Sequence, residues 1–235
     1  RFNWMTPFIL SHYNSKTLYA GANMVFKSEN RGDSWKCISP ELSGNMVPER
    51  QGDVPFGTIT DISESALKKG LLYAGTDDGQ VHVTKDDGAT WSKINNGLPN
   101  KWVSRVVASK YDEGKVFVSL TGYREDDFEA YLYVSTDFGE TWKSLSNNMP
   151  SESINVIRED PTDQDILYVG TELGAYCSID NGKAWYSLCK TLPTCAVHDL
   201  ALHAGTGDLV AGTHGRSAFV LNTKEIQKKK QGIVK

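Results

Sequence analysis

Short runs of alternating apolar and polar residues follow one another along the chain, separated by turn-forming residues. The clearest set is 18–21, 72–75, 116–119, 167–170 and 209–212. Each run is β-branched or aromatic and ends on a small residue and a turn, the pattern of a short strand. A further alternating stretch precedes each run, as at 103–108, 154–158 and 197–202. Another follows each, at 24–27, 80–83, 131–134, 175–177 and 217–221, and a fourth comes at 92–94 and 143–145. Only 63–69 and 223–230 have any helical character. The pattern predicts an almost all-β chain of about twenty strands.

The strands recur as a unit, and internal repetition constrains a fold more than any local signal. Four octapeptides share Ser/Thr-x-Asp-x-Gly-x-x-Trp. They carry Ser28, Asn30, Gly32, Trp35; Thr84, Asp86, Gly88, Trp91; Ser135, Asp137, Gly139, Trp142; and Ser178, Asp180, Gly182, Trp185. Successive tryptophans are 56, 51 and 43 residues apart, and four of the six tryptophans fall in this frame. Four-stranded units of this length stack radially as β-propeller blades. Five are expected, at about 1–47, 48–100, 101–150, 151–193 and 194–226. The fifth lacks the octapeptide and a clear fourth strand, and 227–235 reads as a polar basic tail. The octapeptide joins the third and fourth strands. Its Gly permits the positive φ of the reversal, the Asp or Asn accepts turn N–H groups, and the Trp is expected to fold over its own hairpin as an apolar plug.

Length and charge narrow the function classes. With 235 residues, 39% hydrophobic, the chain can bury a sizeable core unaided. Lys plus Arg is 25 against 29 Asp plus Glu, a net charge of −4 with no basic stripe, so nucleic acid is not an expected partner. No apolar run approaches the ~18 residues of a membrane-spanning helix. The four cysteines form no C-x-x-C pair, and neither metal nor cofactor is expected. Cys189 and Cys195 flank a short segment and read either as a bridge or as free, half-buried thiols.

The repeated octapeptide resembles the Asp-box, or BNR repeat, of sialidases, sortilin-type receptors and xyloglucanase-type propellers, over nearly the whole chain from Trp4 to Asn222. Outside the boxes, Asn3-Trp4-Met5-Thr6-Pro7-Phe8, Trp102-Val103-Ser104-Arg105-Val106 and Gly212-Thr213-His214-Gly215-Arg216-Ser217 are similar to segments of large secreted bacterial repeat proteins. The resemblance implies an all-β propeller, five of whose blades lie here within a larger, seven-bladed ring completed by the rest of a parent chain. It also implies a secreted or periplasmic location and a glycan or protein ligand. Activity does not follow, because this repeat serves enzymes, receptors and assembly factors alike. A sialidase site would need an Arg-Ile-Pro motif, which is absent. Xyloglucanase-type enzymes place two acids across a cleft between two propellers, so one propeller supplies half a site.

Binding residues are expected on the strand 2–3 loops and inter-blade connections, where loops vary on a rigid frame. The long connection 43–56 holds Pro48, Glu49, Arg50 and Asp53. An insertion at 121–129 carries Arg124, Glu125, Asp126, Asp127 and Phe128, a cluster weighed as a solvated loop or a Ca²⁺ site. Glu172, with Asp77 and Asp78, opens other strand 2–3 loops and supplies candidate acids. His214 and Arg216 present anion- or sugar-binding groups, against a structural role for the tight turn. Trp102 beside Arg105 is a candidate sugar-stacking ring, against packing between blades. The expected function is a non-catalytic binding or scaffold module of a larger secreted protein. The alternative is part of a glycoside hydrolase whose active site needs further segments.

Overall fold

The computed structural model describes residues 1–44, 55–188, 190, 192–230 and 232. It contains five antiparallel sheets, each strand pairing with its sequence neighbour. The first sheet comprises β1 (Phe8–Leu10), β2 (Leu18–Gly21), β3 (Val25–Ser28) and β4 (Lys36–Cys37). The second comprises β5 (Ile59–Glu64), β6 (Leu72–Thr76), β7 (Val81–Thr84) and β8 (Ser92–Lys93). The third has β9 (Trp102–Ala108), β10 (Val116–Gly122), β11 (Asp127–Ser135) and β12 (Lys143–Ser144). The fourth has β13 (Ile154–Glu159), β14 (Leu167–Thr171), β15 (Ala175–Ser178) and β16 (Tyr186–Ser187). The fifth is three-stranded, with β17 (Val197–His203), β18 (Asp208–Thr213) and β19 (Ala218–Asn222). The Pro48–Asp53 connection and Cys189 lie outside the described residues.

Two compact units emerge, Arg1–Leu120 with Tyr133–Lys143, and Thr121–Leu132 with Ser144–Lys235. The core of each lies between successive sheets, and the central second strand is the most buried. All five residues of β6 and of β14 are buried. Both faces of these strands meet apolar neighbours, which explains their near-continuous hydrophobic sequence. In the first unit, Val25 and Leu42 pack with Ile59, Ile62 and Ala74. In the second, Val156, Tyr168 and Cys177 pack with Val197, Leu200 and Leu209. Inner strands are also stitched by polar groups: Asp61 accepts the Val106 N–H (2.9 Å) and Ser63 that of Ala108 (3.0 Å). Glu64 is buried and accepts from the Ser11 hydroxyl (2.9 Å) and the His12 N–H (2.6 Å).

The box hairpins follow one geometry. Thr84 Oγ1 accepts the Gly88 N–H (2.9 Å), and Asp86 accepts the Thr90 N–H (2.8 Å) and hydroxyl (2.6 Å). Asp137 repeats this with Thr141, at 2.9 and 2.5 Å. The Thr90 hydroxyl and N–H hold the Asp86 carboxyl down at about 2, and the Ser135 and Thr141 hydroxyls do the same for Asp137. The glycines take positive φ, as does the residue before each: Arg31, Asp87, Phe138 and Asn181.

The tryptophans correct the sequence reading. Trp35 lies beside Gly32 of its own hairpin as expected, whereas the other three reach the preceding sheet. Trp91 Nε1–H donates to the Ile38 carbonyl (2.8 Å), Trp142 to that of Ile94 (2.7 Å), and Trp185 to that of Leu145 (2.7 Å). Ile38, Ile94 and Leu145 each follow a fourth strand directly. The box glycines close on the same residues. A Cβ on Gly88 would meet Ile38, one on Gly139 Ile94, and one on Gly182 Leu145. Periodicity could not reveal this partner, because it lies about one blade away in sequence.

Two helical expectations divide. Residues 65–69 form a turn, in which the Ser65 hydroxyl accepts the N–H groups of Leu67 (3.2 Å) and Lys68 (3.3 Å), the local competition by which serine displaces helix. At the other end α1 (Lys224–Lys230) is helical. Within this segment, read as part of a polar tail, Gln227 Nε2 donates to Thr162 (2.9 Å) and Lys230 pairs with Asp163 (2.5 Å) and Asp165 (2.9 Å).

Candidate functional site in the strand 2–3 loops

One repeat position holds three of the residues singled out in the sequence. Asp77, Glu172 and His214 each follow the last threonine of a second strand, Thr76, Thr171 and Thr213. Each donates its N–H to the segment entering its own sheet: Asp77 to Thr58 (3.0 Å), Glu172 to Ser153 (3.1 Å) and His214 to Ala196 (2.9 Å). The backbone at this position is thus structural, and only the side chains differ in availability.

Asp77 is buried and committed to that framework. It accepts the N–H groups of Gly57 (2.9 Å) and Thr58 (2.8 Å) and the Thr58 hydroxyl (2.7 Å). Burial pushes its carboxyl up, against the pull of the Thr58 and Gly57 bonds. Asp78 accepts from the Gly44 N–H and the Thr76 hydroxyl. Both acids hold loops together. Glu172 is half-buried and accepts from Asn155 Nδ2 (2.9 Å). His214 is exposed and meets His198 edge to face, with ring centroids 5.2 Å apart. Arg216 is exposed on the same turn. Trp102 and Arg105 are half-buried at the start of β9, and Arg105 donates to the Ser104 carbonyl (2.9 Å). Arg158, its counterpart in β13, spans to the fifth sheet through the Leu200 carbonyl (3.0 Å) and Asp199 (2.7 Å).

The structure gathers the most exposed chemistry in the third sheet. The insertion expected at 121–129 is much shorter as a loop, because β10 extends to Gly122 and β11 begins at Asp127. Between them lies a 3₁₀ turn, Tyr123–Glu125, ended by Asp126 at φ 54°, a left-handed conformation that Asp tolerates better than most residues. Asp127 is spent inside the hairpin, accepting the Tyr131 hydroxyl (2.8 Å) and the Glu129 N–H (3.1 Å). That withdraws it from the Ca²⁺ role weighed above, and the described residues hold no cluster of three or more His, Cys, Asp or Glu placed for a metal.

The turn displays two rings. Tyr123 and Phe128 are 52% and 47% exposed and pack edge to face, centroids 5.8 Å apart. Arg124, Glu125 and Asp126 are exposed beside them. The sequence reading weighed this loop for its charges and passed over Tyr123. The available signal was two aromatic residues in a segment otherwise rich in charge.

Four-stranded antiparallel sheets whose outer hairpins are Asp-boxes define an Asp-box β-propeller protein. The sequence profile described as sortilin, neurotensin receptor 3 matches residues 23–148 and 79–231, and the chain belongs to this Sortilin-Vps10 family. It is 28% identical over 146 residues to xyloglucanase Xgh74A of Acetivibrio thermocellus, an alignment covering 55% of this chain and 17% of that protein. The GH74 xyloglucanase of Xanthomonas campestris superposes with a TM-score of 0.70 at 13% identity, over 95% of this chain and 37% of that one. The solved YCF48 bound to D1 peptide superposes with a TM-score of 0.59 at 14% identity, over 94% and 70%. The chain thus spans about a sixth of the curated relative and about a third of the solved xyloglucanase. No helix among the described residues is long and apolar enough to cross a membrane.

Proposed function

We propose that the chain is a non-catalytic carbohydrate-binding module of an extracellular protein, with the Tyr123–Phe128 turn as its sugar platform. The observation that carries this is the exposed aromatic pair bordered by Arg124, Glu125 and Asp126. Aromatic faces take the apolar C–H face of a pyranose, and flanking polar groups fix its hydroxyls. Glu172, His214 and Arg216 of the same unit are secondary contacts in this reading. The carboxylates first weighed as acids support a binding role over catalysis, since Asp77 and Asp78 already serve backbone and hydroxyl donors. The named activity of the relatives makes xyloglucan the first glycan to try.

The test is calorimetric titration with xyloglucan oligosaccharides alongside a reducing-sugar assay on the polymer. Saturable binding is expected. Tyr123→Ala and Phe128→Ala should each weaken it about tenfold, the equivalent of ~1.4 kcal/mol. Turnover by this chain would replace the reading with the hydrolase alternative. Absence of glycan binding, together with capture of a peptide by the same loops, would favour a protein ligand.

A further inference from the structure

We propose that His198 and His214 form a two-histidine site for a divalent transition-metal ion, Zn²⁺, Ni²⁺ or Cu²⁺. The fifth sheet builds the pair. Val197 pairs with Thr213 and Asp199 with Gly212, which leaves His198 as the extra residue of a β-bulge. Bulges re-aim a side chain and are frequent beside functional sites. His214 follows Thr213 directly, and its N–H donates to the Ala196 carbonyl (2.9 Å), close to His198 in the chain. The turn beyond is pinned in its own right: the Thr213 N–H (3.1 Å) and hydroxyl (2.6 Å) both donate to the Ser217 carbonyl. The backbone thus fixes both histidines at one end of one hairpin. The sequence carries no sign of the pair, because the two residues meet only through the β17–β18 register. The fourth sheet repeats the device with other side chains. Ile154 pairs with Thr171 and Val156 with Gly170, so Asn155 is the extra residue there, and Glu172 follows Thr171. The side chains at bulge and turn bond directly, Asn155 Nδ2 donating to Glu172 (2.9 Å). This repeat position brings two polar side chains together by construction, and in the fifth sheet both are imidazoles.

Distance and ligand type select the ion. A ring nitrogen binds zinc at about 2.0–2.1 Å, which sets each ring centroid roughly 3.2 Å from the ion and two ligands of a tetrahedral ion about 5.2 Å apart. The His198 and His214 centroids are 5.2 Å apart, with the ring planes at 69°. Both rings are exposed. The last torsion of a histidine is soft, so a nitrogen of each ring can turn toward a shared point while the backbone stays in place. Imidazole suits zinc, nickel and copper, and affinity within this series peaks at Cu²⁺. Ca²⁺ and Mg²⁺ take oxygen ligands and do not match the pair. Among the described residues no group of three His, Cys, Asp or Glu is placed to cage an ion. Two protein ligands therefore leave the remaining positions open to water or to an oxygen donor from solution.

The test is calorimetric titration of the untagged chain with zinc chloride and cupric chloride. No glycan is present, so the outcome is separate from that of the sugar reading. Cys37, an exposed thiol, is changed to Ser in every sample, because its thiolate would compete for these ions. One ion per chain is expected, with Cu²⁺ bound more tightly than Zn²⁺ and no saturable heat from calcium chloride. His198→Asn copies the fourth sheet's bulge residue and so keeps the local fold. It should weaken Zn²⁺ binding by about tenfold or more, since changes merely behind a ligand already cost that much. His214→Gln should match it, and the double variant should lose little beyond either single, because a chelate fails once one arm is gone. His203→Ala, at the far end of β17, should bind as the parent does. In NMR spectra, substoichiometric Zn²⁺ should shift the ring signals of His198 and His214 alone among the histidines. Parental affinity in either His198→Asn or His214→Gln overturns the proposal. So does an absence of saturable binding by the parent, which would leave the two rings as a packing contact only. One ion per two chains would place the metal between copies and equally overturn it.

Discussion

The indole nitrogen of Trp185 lies 2.7 Å from the carbonyl oxygen of Leu145, forty residues earlier and just past the preceding sheet's last strand. The bond is buried, so each partner depends on the other for satisfaction. Sheet stacking in this chain therefore rests on directional bonds as well as apolar area.

Box tryptophans should differ in energetic weight according to what they grip. Trp185→Ala is expected to cost about 3–5 kcal/mol, as for other buried large-to-small changes. Trp35→Ala in the same chain should cost less, about 1 kcal/mol, because Trp35 is 44% exposed where Trp185 is 4%. Urea unfolding followed by far-ultraviolet circular dichroism gives both values, and equal losses would refute the directional grip.

The glycines give a matched pair. Both Gly32 and Gly88 have positive φ, so alanine strains either backbone. Only at Gly88 would the new methyl also lie 2.5 Å from the Ile38 carbonyl oxygen. Gly88→Ala should thus destabilise more than Gly32→Ala, by at least ~1 kcal/mol. Thermal and urea midpoints of the two variants check the order.

His82 should make the protein acid-sensitive well above the carboxylate range. Burial lowers its pKa to about 4, with Lys93 adding to the effect, and its Nδ1 is buried with no hydrogen-bond partner in the described structure. The unfolded chain binds the proton more readily, near pH 6.5. Stability from this site is therefore complete above about pH 6.5 and is lost as pH falls toward 4. Phe26 and Tyr176 hold the same register position in the first and fourth sheets. His82→Phe should flatten the stability profile over that window, measured as urea midpoint against pH.

Glu64 offers a test of the inner stitching. Its carboxylate receives the Ser11 hydroxyl, the His12 N–H and, at 3.4 Å, the Tyr19 hydroxyl. Glu64→Ala strands these donors and should cost about 2–4 kcal/mol. Amide exchange at His12 should accelerate in the variant, which separates loss of this clasp from a general loosening.

The sheets were legible because strand alternation and the box repeat at fixed offsets. The second-strand runs at 72–75 and 167–170 fall inside β6 and β14. The fifth unit's missing box corresponds to a sheet with three strands. What Trp91 binds was not legible, since Ile38 is 53 residues distant and carries no mark of its own. Nor was the fate of Asp77 and Asp78. A carboxylate beside a turn reads the same whether it faces solvent or, like Asp77, caps the Gly57–Thr58 backbone. Tyr123 was passed over because its neighbours are charged, and periodicity does not report which side of a hairpin tip stays wet.

The gripping geometry also sets where such a chain can be cut and rejoined. A sheet moved alone would leave its own last aliphatic residue behind an unrelated box, and would set its box against an unrelated edge. What is inherited intact is the seam: Ile94 together with Gly139 and Trp142, or Leu145 together with Gly182 and Trp185. Exchange points within the fourth strand, between a box Trp and the aliphatic residue that follows that strand, as between Trp142 and Leu145, keep each seam whole. Shuffling among proteins of this architecture should therefore succeed at fourth-strand junctions and fail at the loops that look like natural boundaries.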